Sequence, residues 1–209
     1  MSQKVFLSDS VDMLDVQGIP FYKVIQIMKI VLSCAKGKTD MVDRKDQERG
    51  YFHVSKIKRS GQIELLPEFT VPFGDIPEGW SEKYFFLAGE DKPKRIYLNL
   101  INDHTTSYES RCEDTEKYPP FGAWGGAILA DYLVFEGGKK IVRSSFVLSF
   151  SGMPELIDEA KMVSVGETIA RLANVKMVET DAHKRNPYWK EIFEESWTTI
   201  LVLKQKDLF

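Results

Sequence analysis

A chain of 209 residues is long enough for one full hydrophobic core, or for one domain with an elaborated end. Its 43% hydrophobic and 28% charged residues mark a globular composition, not a disordered or fibrous one. A formal charge of −3 and a pI near 5.7 supply no global attraction to nucleic acid or to an anionic membrane.

The chain opens with acidic residues where a signal peptide needs an apolar core. Residues Pro20 to Ala35 predict an amphipathic helix, with Phe21, Val24, Ile25, Met28, Val31, Leu32 and Ala35 at helical spacing. Ile27 and Ile30 widen that face, so the helix is either touched on two sides by the core or shared with a homodimer contact. Lys23, Gln26 and Lys29 interrupt the apolar segment from Ile19 to Ala35, which is too short and too charged to span a bilayer. The polar run from Lys36 to Gly50 contains a Gly-Lys-Thr, but it lacks the upstream glycine and the leading strand of a phosphate-binding loop.

Tyr51 to Ile57 and Gln62 to Val71 read as strands around an Arg59-Ser60-Gly61 turn. Ser81 is placed as the cap of a short helix from Glu82 to Ala88. After Pro93, the alternation of Ile96, Leu98 and Leu100 with Tyr97, Asn99 and Ile101 predicts a strand over 95–101. Asn102 to Pro120 has no apolar period, and about nineteen residues exceed the usual connection, which suggests a functional or mobile loop. It carries His104, Tyr108 and Tyr118, and leads into Phe121 and Trp124.

The stretch from Trp124 to Ala173 is the most ordered reading. Strands over Ala127–Phe135 and Ile141–Phe150 flank a Gly-Gly hairpin turn. One face of the second strand carries Phe146, Leu148 and Phe150. The other, with Arg143, Ser145, Val147 and Ser149, is only half apolar and is expected to be wet or to line a polar cleft. Pro154 begins a helix whose Glu155, Asp158 and Glu159 complement its dipole and oppose phosphate there. The apolar face of that helix changes side around Ser164–Gly166. Either the helix bends, or its halves pack against different bodies, the second of which would be a dimer partner or the terminal segment. A strand over Val175–Val178, a turn at His183–Pro187, a helix from Tyr188 to Ser196 and a strand over Thr198–Leu203 complete the chain. Together these elements predict one α+β domain, an antiparallel sheet flanked by helices. It comprises a helix over 19–35, a strand–loop–hairpin–helix core over 95–173 and an elaboration over 175–209.

Cys34 closes an apolar pattern, and Cys112 sits among acids that disfavour a thiolate, so neither suggests a disulfide framework. Three scattered histidines give no metal motif. Ser151 precedes a helix as a nucleophile does, yet Ser149 stands where the elbow motif needs glycine, so Ser151 reads as a turn or cap residue. Asp131, inside an apolar strand, is either on a wet face or a perturbed acid. His183-Lys184-Arg185 reads as a solvated turn. The residues best suited to a ligand are His104 and Tyr108, the aromatic group Tyr118, Phe121 and Trp124, and Arg143. An imidazole binds haem iron or moves protons, aromatics enclose a planar ligand, and a guanidinium pairs with its carboxylate.

The order of strand, loop, Gly125-Gly126-Ala127-Ile128 strand, glycine hairpin, Ser149-Phe150-Ser151-Gly152 and long helix resembles profilin-like or PAS-like sensory domains. More narrowly, those two short motifs resemble segments of the haem-degrading domain family over residues 82–173. The resemblance implies binding of haem or another small organic ligand, and no catalytic residue is carried over from it. The expectation is a cytoplasmic, dimeric, non-catalytic domain that binds a small planar carboxylate, with no nucleic-acid or membrane partner. The alternatives are a homodimeric interaction protein without a ligand, and an enzyme using His104 as acid–base.

Overall fold

The computed structural model describes residues 15–35, 49–57, 63–65, 69–99, 104–112, 115–117, 121–137, 139–152 and 154–209. A two-stranded ribbon, β1 (Asp15–Val16) and β2 (Ile19–Pro20), leads into helix α1 (Phe21–Ala35). The main sheet holds β3 (Gly50–Ile57), β4 (Ile63–Glu64), β5 (Thr70–Phe73), β6 (Ala127–Glu136), β7 (Lys139–Ser151) and β8 (Lys176–Met177). All its pairings are antiparallel, in the order β4-β3-β7-β6-β8, with β5 also paired to β3. Helices α2 (Glu78–Phe86), α3 (Lys92–Asn99), α4 (Glu155–Leu172), α5 (Asp181–Arg185) and α6 (Trp189–Gln205) flank it. The fold is α+β, an antiparallel sheet with helices on both faces.

Register decides which side chains meet which layer. Phe52 pairs with Phe150, Val54 with Leu148, and Ile128 with Leu148 on the neighbouring strand. These residues share one face with Phe146 and Tyr132, and all are buried in the main core beneath α4, α1 and α6. On the opposite face, His53 pairs with Ser149, Ser55 with Val147, and Ala127 with Ser149. That half-polar face is covered by α3, whose Ile96 packs with Ala127, Leu129 and Val147. His53 is held by Thr70 Oγ1 at 2.7 Å and Ser55 Oγ at 2.5 Å, and burial lowers it to about 4, so it sits neutral in this layer.

Helix α4 does not need a partner molecule to explain its changing apolar face. It is buried almost along its length, with β6 and β7 on one side and α1 and α6 on the other. The terminal segment is the second body.

Two expected strands are helices. Residues 95–99 belong to α3, whose inward positions Lys92, Arg95 and Ile96 have helical spacing but carry two charges, so the hydrophobic period was hidden. Thr198 to Leu203 continue α6, although their β-branched residues favour a strand. Ile192, Phe193, Ser196 and Ile200 are buried along that helix, and packing overrides the local preference. The Thr198 and Thr199 hydroxyls donate to the carbonyls of Glu194 and Glu195 at 2.8 and 3.0 Å. Smaller shifts follow. Helix α2 starts at Glu78 with Pro77 as its cap, not at Ser81, and His183 lies in α5 instead of a turn. Ser151 is the last residue of β7 and not a cap. The Arg59-Ser60-Gly61 turn lies outside the described residues.

The sheet face beneath α4 should dominate stability. Leu148→Ala is expected to cost about 2–5 kcal/mol in urea denaturation, whereas Ile141→Ala, at a 42% exposed position of the same strand, should stay within about 0.5 kcal/mol.

Candidate functional site

The site begins with a proline. An α-helix running through α2 and α3 would direct the residue-93 amide to the Gly89 carbonyl, but Pro93 has no amide hydrogen and its ring crowds that carbonyl. The chain answers with a π turn over Leu87–Asp91, in which the Lys92 amide reaches back to the Leu87 carbonyl. This wider turn directs the Lys92 side chain inward, where it is 1% exposed.

There the Lys92 ammonium donates to the Phe150 carbonyl at 2.5 Å and lies 4.0 Å from the Asp158 carboxylate. Asp158 also accepts the Gly152 amide at 3.2 Å and lies 3.4 Å from the fully buried Lys161. The Lys161 ammonium sits 4.3 Å over the Phe150 ring. Burial pulls Lys92 down to about 8; Asp158 opposes this, and the nearby Arg95 charge adds to it. Gly126 permits the approach. With φ at +105°, a Cβ there would lie 2.7 Å from Asp158 Cβ, 2.9 Å from the Phe150 oxygen and 3.0 Å from Lys92 Nζ.

Beside this cluster opens a cleft of about 230 Å³. Trp80, Tyr84, Leu87 and Trp124 form its apolar walls. Lys83, Lys92, Glu155 and Asp158 supply its charges, and Gly125, Ser151 and Gly152 line it as well. The Lys83 ammonium lies 5.4 Å from the Trp80 ring and 5.1 Å from the Trp124 ring. Glu155 accepts the Gly125 amide at 2.8 Å. The carboxylates at the start of α4 thus take up backbone amides that a phosphate would need. A shallower depression of about 570 Å³ between Tyr51, Pro72 and Phe85 holds two exposed carboxylates, Glu78 and Glu82, and no buried charge.

Arg95 builds the wall that carries Trp124. It pairs with Asp91 at 2.8 Å and donates to the Ser107 carbonyl at 2.8 Å, to Ser110 Oγ at 3.0 Å and to the Trp124 carbonyl. The described part of the long loop is therefore pinned. Thr105 and Asp181 exchange three hydrogen bonds of 2.8–2.9 Å, and Cys112 bridges Ala123.

The expected ligand residues separate. Trp124 lines the cleft, its indole nitrogen donating to the Phe121 carbonyl at 2.7 Å. Phe121 stands one layer out, edge-on to Phe86 at 5.8 Å. Tyr108 lies behind Gly125, between the guanidinium groups of Arg111 and Arg185 at 3.8 and 3.9 Å. His104 is exposed and belongs to the Asp181 neighbourhood, away from the cleft. Arg143 falls at the register shift of β7 opposite Tyr132 and Leu133; its side chain and Tyr118 lie outside the described residues. Asp131 is half-buried on the α3 face; burial raises its carboxyl against a Ser145 bond. Sequence reasoning missed Trp80, Lys83, Tyr84 and Lys92. Pro93 after a helical pattern was the available signal for Lys92.

The lining does not fit a haem. None of the three histidines lines the cleft, so a haem there would find no imidazole ligand. Among the described residues no cluster of three or more His, Cys, Asp or Glu is arranged to hold a metal, and no helix is long and apolar enough to cross a membrane. No family model, curated protein or solved structure matches the chain.

The buried amine sets a pH dependence. Between pH 8 and 10.5 an unfolded lysine keeps a proton that folded Lys92 has lost, so the folded state gains stability as pH rises through that window. Relative to Lys92→Met, the wild-type chain should gain on the order of 3 kcal/mol from pH 8 to 10.5 in denaturant titrations. A flat difference would show that the amine keeps its ordinary proton affinity.

Proposed function

We propose that the chain is a small-ligand-binding domain of the profilin-like or PAS-like sensory class, and that its ligand is a small planar carboxylate held in the cleft. One observation carries this reading: aromatic walls and two lysines, one of them buried, line a single concave site. The indoles of Trp80 and Trp124 offer flat apolar surface, and Lys83 and Lys92 offer charge to the carboxylate. Cys34 and Cys112 form no disulfide with each other, which suits a reducing, cytoplasmic setting.

Benzoate should raise the melting temperature and bind in calorimetry, while benzamide, equal in shape but uncharged, should not. Trp124→Ala and Lys83→Ala should each weaken benzoate by roughly tenfold. A panel of small planar carboxylates that leaves the melting temperature unmoved would overturn the assignment.

A second reading, a homodimer through the outer helices, draws on Tyr22 of α1 and Leu201 and Val202 of α6, which are 52%, 43% and 42% exposed. Sedimentation should then show a concentration-dependent dimer that Leu201→Glu abolishes without loss of fold; a monomer throughout refutes it.

A further inference from the structure

We propose that Lys92 captures a small 2-oxo acid in the cleft as a reversible imine. This rests on the carboxylate-binding reading of the same site and names the ligand class and the atom that holds it.

The geometry is that of a nucleophilic amine, not of a surface cation. The π turn before Pro93 turns the Lys92 side chain inward, Lys92 lines the cleft, and among the described residues the one hydrogen bond of its Nζ is to the Phe150 carbonyl. A neutral amine can make that bond with one N–H and still present its lone pair to a ligand. Burial and the Arg95 charge bring the amine to about 8. About a tenth is therefore unprotonated at pH 7, against fewer than about one in a thousand for an exposed lysine.

The step balances without any further reactant. Lys92 Nζ attacks the ketone carbon, the N–C bond forms, and the carbonyl electron pair moves to oxygen, which takes a proton. The nitrogen releases a proton, the carbinolamine hydroxyl is protonated and leaves as water, and the nitrogen lone pair closes the C=N bond. Glu155, half-buried in the cleft lining, is placed to carry these protons, and Asp158 balances the iminium charge. A 2-oxo acid suits the rest of the lining. Its carboxylate meets Lys83 between the two indoles, its conjugated plane lies along Trp80 or Trp124, and its size suits about 230 Å³.

The test is reductive trapping on the full chain. Pyruvate or phenylpyruvate with cyanoborohydride should give one saturable adduct by intact mass, mapped by peptide sequencing to Lys92. Labelling there should exceed that of exposed Lys94 by on the order of tenfold or more. Lys92→Arg, which keeps the charge, should remove the adduct, and Lys83→Ala should raise the half-saturating concentration while leaving the adduct on Lys92. If Lys92→Arg does not fold, the wild-type map decides alone. Adducts spread over exposed lysines, a single adduct elsewhere, or none would overturn the imine. Benzoate binding without an adduct would refute the imine and leave the carboxylate cleft standing, whereas neither binding nor adduct would refute both.

Discussion

The Lys92 ammonium, held between the Phe150 carbonyl and the Asp158 carboxylate, joins three elements that are remote in sequence. It docks the α2–α3 arm on the end of β7 and on the start of α4. A charge this deeply buried is costly unless it is paired and hydrogen-bonded, so its partners fix where the arm can sit. Asp158 in turn holds the Gly152 amide and Lys161, and Gly126 must lack a side chain for the three groups to meet. The cleft lies where the arm's aromatic outer turn faces this cluster.

Replacing such a cluster by apolar groups of the same shape is often neutral or stabilising, so its presence is a weak argument from stability. Its position beside a concave aromatic surface is what gives it functional weight. The same cluster concentrates negative charge at the start of α4. Its carboxylates bond Gly125 and Gly152, and the positive charge near the cleft comes from lysines on the arm instead.

Much of the scaffold was legible. Helix α1, strands β3, β6 and β7, the hairpin and α4 follow from periodicity and turn residues, because their apolar residues recur at strand or helix spacing between clear turn signals. The half-polar face of β7 pointed to a wet surface or a polar cleft, but its inner end is a buried layer in which Ser149 lies with His53 and Ser55 under α3. The candidate site was legible only at its rim. Trp124 stood out as an aromatic in a long loop, but His104 stood out for its chemistry alone and is exposed away from the cleft. Lys92 and Arg95 were invisible because inward-facing charges erase the pattern that marks an inward face.

The sequence by itself determined the α+β class and the hairpin, since these depend on local turn sterics and on the spacing of apolar residues. Only the tertiary structure decided that residues 95–99 are helical, that α6 covers α4, and that Lys92 meets Asp158. Those outcomes depend on contacts between distant segments: packing that outweighs strand propensity in α6, and ion pairing that makes two buried charges on α3 tolerable.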